Sequence, residues 1–130
     1  MRPNHKFMLV LLTGVVLGVA GATAIQAQQT KPAPGYVVAE VEVNDTAAFA
    51  KYAEQVPGTL APFNGQYLIR AGKITPVEGD APKQRFIVIG FDSAEKAKAW
   101  EDSPAYEAIK PIRHASAKSR VFIIEGVPPK

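Results

Sequence analysis

The sequence contains no cysteine. That absence excludes disulfides, thiolate catalysis and a lipid-modified cysteine anchor. Histidine is nearly as scarce, with two in 130 residues, His5 and His114. One histidine in the body of the chain and no His-x-x-x-His spacing leave no expected metal site. There is no Gly-rich phosphate loop and no dinucleotide fingerprint, so no cofactor is expected. An excess of one charge is also missing. The fifteen basic residues include Arg2 and Lys6, while no acid precedes Glu40. Beyond the first 27 positions, thirteen basic residues face twelve acidic ones, a net charge of +1. Such a balance creates no field to draw in nucleic acid or an anionic membrane.

A long hydrophobic run occurs at the start. Arg2, His5 and Lys6 precede an apolar stretch from Phe7 to Ala20, and small residues follow through Ala27. This order matches a secretory signal peptide over residues 1–27, with cleavage after Ala24 or Ala27. The alternative is a retained anchor, because the run extends to roughly 19 residues, near the bilayer-spanning minimum. A periplasmic or secreted protein without membrane attachment after cleavage is the expectation. Residues 28–34 (QQTKPAP) read as a disordered leader, residues 35–127 as one domain, and residues 128–130 as a tail.

Within the domain, Tyr36 to Val43 alternates as a strand, with Val37, Ala39, Val41 and Val43 on one face. Asn44 or Asp45 caps a helix carrying Phe49, Tyr52, Ala53 and Val56, and Pro57-Gly58 is expected to end it. Gly65 to Ala71 and Arg85 to Phe91 read as two strands joined across residues 72–83. Asp92 to Glu95 resembles a capping box before a helix with Ala94, Ala97 and Trp100 inward. Ser103-Pro104 restarts the helix, as N-cap and first-turn proline, so two short helices meet at a corner near Asp102. Arg120 to Glu125 is the last strand. The fold class is therefore α+β, a ferredoxin-like βαββαβ arrangement with a four-stranded antiparallel sheet.

Strands three and four are apolar on both faces. Phe86 and Val88 oppose Ile87, Ile89 and Phe91, while Val121 and Ile123 oppose Phe122 and Ile124. Two helices cover only one face of a sheet about 20 Å wide. The other face would expose about 500 Å² of apolar surface, near the ceiling for a monomer. Pairing two copies buries ~1,000 Å², a gross gain of ~25 kcal/mol at 25 cal/mol/Å². Association costs on the order of 4–15 kcal/mol. A face-to-face homodimer with isologous symmetry is the expected partner.

The chain resembles the family known as domain of unknown function 1330, among the dimeric α+β barrels. The likeness is carried by Tyr67-Leu68-Ile69-Arg70-Ala71-Gly72, Glu78-Gly79, Arg85-Phe86-Ile87-Val88-Ile89, Trp100 through Tyr106, and Pro111-Ile112-Arg113. Members tend to have Arg-Gly-Gly where this chain has Arg70-Ala71-Gly72. They often place an aromatic shortly after Glu-Gly, where this chain has Asp80-Ala81. The resemblance implies the fold and the dimer. It implies no activity, since the wider superfamily spans cofactor-free oxygenases, lactone isomerases and haem-handling enzymes.

Read from the residues, Arg70, Trp100, Tyr106 and Arg113 are the candidate ligand-binding groups. Arg70 is expected on the face of Leu68, beside Glu40 and Glu42, either orienting a carboxylate bidentately or forming a structural ion pair. Trp100 and Tyr106 read as core packing or as an aromatic wall for a flat ligand. His114 is a candidate proton shuttle or an exposed helix-end residue, and Glu78 a candidate acid or a loop residue. Ser103 reads as a cap and not as a nucleophile. The leading expectation is a binding protein for a small organic or carboxylate ligand. The alternative is a cofactor-independent isomerase or oxygenase using Arg70 with His114 or Glu78. A third reading is a structural dimer whose inner face is filled by Phe122 and Ile124.

Overall fold

A computed structural model describes residues 30–130. The expected signal peptide and the start of the leader lie outside the described residues. Strand β1 spans Gly35–Val43, helix α1 Thr46–Leu60, and a single 3₁₀ turn Ala61–Phe63. Strands β2 (Gln66–Arg70) and β3 (Arg85–Phe91) follow, then helices α2 (Ala94–Glu101) and α3 (Pro104–Ser116), then β4 (Ala117–Glu125). The sheet order is β2-β3-β1-β4, with every neighbouring pair antiparallel. This is the expected α+β ferredoxin-like fold, with its second helix split in two. No helix among the described residues is long and apolar enough to cross a membrane.

Local chemistry sets the element ends. Asp45 caps α1, its Oδ1 accepting from the Ala48 N–H at 3.0 Å. Ser93 caps α2, accepting from the Lys96 N–H at 3.2 Å. Position N3 is therefore Lys96 and not an acid, so the reciprocal half of the expected capping box does not form. Lys96 instead reaches back to Asp92 at 3.3 Å. Helix α1 does not stop at Pro57-Gly58 but runs on to Leu60. Phe49, Tyr52, Val56 and Leu60 keep one buried face continuous through the proline. The bond that Pro57 cannot donate would have gone to the Ala53 carbonyl, which accepts from Arg70 Nη2 at 3.4 Å instead. Gly35 permits the close passage of β1 under α2: a Cβ there would lie 2.4 Å from the Ala94 backbone nitrogen.

Register determines what faces the helices. Val37 lies opposite Ile89 and Ile123, and Ala39 opposite Ile87 and Val121. These residues pack with Phe49, Trp100, Tyr106 and Ile109 in the core. Strand β2 carries a register shift between Tyr67 and Ile69. Tyr67 pairs with Ile89 and Arg70 with Ile87, so two residues three apart share the inner face. Plain alternation would have kept Arg70 with Leu68. The bulge adds one residue and turns Arg70 toward the helices, away from Glu40 and Glu42. Glu40 pairs with Arg120 at 2.9 Å on the opposite face.

The outer face is apolar as expected. Phe122 and Ile124 lie there, 41% and 52% exposed, with Leu68 and Ile69 exposed on the β2 side.

Candidate functional site

Between the inner sheet face and the helices lies a cavity of about 40 Å³. At roughly 10–15 Å³ per water-sized centre, it takes about three such groups. Val37, Ala39, Val41, Ile87, Ile89 and Val121 form its apolar floor, and Tyr52, Arg70, Arg85, Glu101, Tyr106 and Arg113 supply its polar groups. Arg70 is the exposed member of the lining and marks the mouth, where its guanidinium spans from β2 to Ala53 on α1.

The Ser103 corner builds one wall. Ser103 Oγ donates to the Trp100 carbonyl at 2.7 Å and accepts from the Tyr106 N–H at 3.4 Å. Trp100 and Tyr106, three residues to either side, are thereby stacked with centroids 3.9 Å apart. No slot for a flat ligand remains between them. The Trp100 indole N–H donates to Thr59 Oγ1 at 3.0 Å, so its polar end is consumed within the core. The Tyr52 and Tyr106 hydroxyls share a hydrogen bond of 2.7 Å. Burial pushes both phenols above their ordinary range; for Tyr52 the neighbouring Tyr106 adds to the rise, while Arg113 opposes it at both rings. Burial also raises Tyr67, against the pull of Arg70, whose guanidinium lies 4.6 Å from its ring centroid.

Charge is concentrated around this space. Arg113 is 7% exposed, and its Nη1 donates to Ser119 Oγ. Arg85 lies over the Phe49 ring at 5.2 Å. Glu101 Oε2 is 3.3 Å from Lys110 Nζ, which also holds Glu107 at 2.7 Å and the Glu101 carbonyl at 2.9 Å. Burial alone would lower the Lys110 pKa, but its contacts with Glu107 and Glu101 outweigh that and raise it. Among the described residues, three buried side-chain polar atoms have no hydrogen-bond partner: Arg85 Nε, Glu101 Oε1 and Arg113 Nε. All three residues line this one cavity.

The structure therefore brings Arg70, Trp100, Tyr106 and Arg113 to one place. His114 and Glu78 are exposed and outside the lining. Sequence reasoning missed Tyr52, Arg85 and Glu101. Arg85 was accessible through period-two alternation with Ile87 and Ile89, and Tyr52 through its place on the apolar face of α1. Glu101 carries no such signal, because its position depends on the corner and on Lys110 nine residues later. No group of three or more histidine, cysteine or acidic residues suited to a metal exists among the described residues.

Several solved structures share this fold. A protein of unknown function from Rhodopseudomonas palustris is 13% identical, with a TM-score of 0.61 over 84% of this chain and 94% of its own. A hypothetical Arabidopsis thaliana protein is 11% identical, with a TM-score of 0.56 over 81% and 98%. SnoaB, a cofactor-independent oxygenase from Streptomyces nogalater, is 11% identical, with a TM-score of 0.52 over 75% and 96%. Identities this low show a common fold alone. No curated protein matches the chain. Residues 34–127 match the family described as a domain of unknown function, DUF1330, and the chain belongs to that family.

Proposed function

We propose that this chain is an exported homodimeric protein that binds a small organic acid in the cavity between its sheet and helices. One observation carries the reading: three arginines from three different elements, Arg70, Arg85 and Arg113, line a single cavity that holds one acid, Glu101. Charge favours an anion. Arg70, Arg85, Arg113 and Lys110 stand against Glu101 and Glu107, an excess of two positive charges around the lining. Arginine presents its donors in a planar fork that matches a carboxylate. Dimer formation rests on the exposed apolar outer face, and export on the composition of residues 1–27.

Isothermal titration against a panel of small mono- and dicarboxylates tests the binding. Saturable binding is expected, weakened about 10- to 100-fold by Arg113→Met, in line with the loss of a charged hydrogen bond. Arg70→Ala is expected to weaken binding while leaving the dimer intact. Wild-type affinity in both variants, or no acid bound at all, would remove the reading.

A further inference from the structure

We infer, on the acid-binding reading above, that Pro57 is a positioning residue for Arg70. It leaves the Ala53 carbonyl open, and Arg70 docks there at the mouth of the cavity. An interior proline is among the costliest residues a helix can hold, because it lacks the N–H and its ring presses on the carbonyl four residues back. Pro57 nevertheless lies inside α1, between Thr46 and Leu60. Core packing does not account for it. The residue is exposed, and the buried face of the helix is made by Phe49, Tyr52, Val56, Thr59 and Leu60.

What the proline does change is one acceptor. In a regular helix the N–H of residue 57 would occupy the Ala53 carbonyl. Without that donor, and with the ring favouring a tilt of the carbonyl off the helix axis, the oxygen accepts from Arg70 Nη2 at 3.4 Å. The Tyr67 ring supports the same guanidinium from β2, 4.6 Å from its centroid. A guanidinium has five N–H donors, and docking on Ala53 uses one, so the others remain for an anion. Arginine has much rotamer freedom to lose, and fixing it before the acid arrives removes that loss from binding. Two departures from regular structure converge on this contact: the bulge that turns Arg70 inward and the proline that opens its acceptor. Local rules broken together without a packing gain point to a functional position.

Three variants separate this role from a structural one. Pro57→Ala restores the helical N–H, Arg70→Ala removes the docked group, and Gly58→Ala raises helix propensity without touching Ala53. A Cβ at Gly58 meets nothing within 4 Å. Pro57→Ala is expected to raise the urea midpoint, as is Gly58→Ala. It should nevertheless bind acetate, malonate and succinate about three- to tenfold more weakly, the contribution of one ordinary hydrogen bond, while Gly58→Ala binds them as wild type does. The loss should vanish when Pro57→Ala is combined with Arg70→Ala. Modification of Arg70 by phenylglyoxal, mapped by peptide mass spectrometry, reads the docking without any acid and should be about threefold faster in Pro57→Ala. Unchanged affinity or unchanged Arg70 reactivity in Pro57→Ala overturns the positioning role. So does an equal loss of affinity in the Arg70→Ala background, which would assign the effect to the helix alone. A Pro57→Ala protein that is unfolded or less stable than wild type overturns it too, since the proline would then serve the fold. Binding of none of the acids by wild type overturns the acid-binding reading, and faster Arg70 modification in Pro57→Ala would still uphold the docking.

Discussion

Tyr52 and Tyr106 hold one hydrogen bond between two hydroxyls, so one donates and the hydrogen of the other is free for a further partner. The geometry commits both rings to the neutral form. Their pKa values, and that of Tyr67, are raised above the ordinary 10.0, chiefly by burial. The sign follows directly. A phenol whose pKa is higher in the folded chain contributes stability fully present below pH 10, lost as the pH rises through the folded value. Lys110 acts in the same window, since its pKa is raised above 10.5 by Glu107 and Glu101 despite burial. Stability is therefore expected to hold through neutral pH on account of these groups and to fall from about pH 10 upward. Phenolate absorbance at 295 nm, followed with circular dichroism, checks this. Ionisation of these tyrosines with the helical signal intact would contradict the burial argument. At this scale the sequence is uneven evidence. Tyr106 and Arg113 are legible because a helix restart puts them in register with Trp100. Glu101 is not, because no local pattern distinguishes it from Asp102, its exposed neighbour.

At the scale of elements, β2 departs furthest from its sequence pattern. Gly65 to Ala71 reads as an ordinary strand, yet the register slips and Ala71 leaves the strand at φ 55°. This is the left-handed region, in which an L-residue with a Cβ is strained by roughly 1–2 kcal/mol and glycine is not. The family resemblance places glycine there. Ala71→Gly is expected to stabilise the protein by about 0.5–1 kcal/mol, after the greater backbone entropy of glycine in the unfolded chain is offset. Urea unfolding measures it, and a loss of stability would mean that the turn is not the strained conformation described here. Alternation cannot announce a bulge, because both Tyr67 and Leu68 fit either face. The proline in α1 misleads for a related reason. Its local preference to end a helix is overridden by the buried face that runs from Phe49 to Leu60 and by a donor arriving from β2.

On the scale of the whole molecule, the legible part is greatest. The order of four strands and three helices and the doubly apolar strands follow from period and turn chemistry, and both are present in the folded chain. Leu68, Ile69, Phe122 and Ile124 leave the outer sheet face apolar and open. That face is the proposed meeting surface of two copies, so a charge placed on it is expected to separate them. Ile124→Lys should shift the species measured by light scattering from dimer to monomer, without loss of the secondary structure. A monomeric wild-type protein would refute the pairing, and an unaffected dimer in the variant would move it to another surface.

The irregularity in β2 has a further meaning at this largest scale. β2 lies at the border of the sheet, with β3 on one side only. A straight apolar strand in that place offers its free amides to any passing chain, the usual seed of edge-to-edge aggregation. The slip at Leu68 breaks that repeat, and the same slip delivers Arg70 to the mouth of the cavity. The break in the edge and the inward placement of Arg70 thus hang on one inserted residue. A deletion that regularised the strand would be expected to return Arg70 to the outer face and, in the same stroke, to offer a straight edge to fibrous growth.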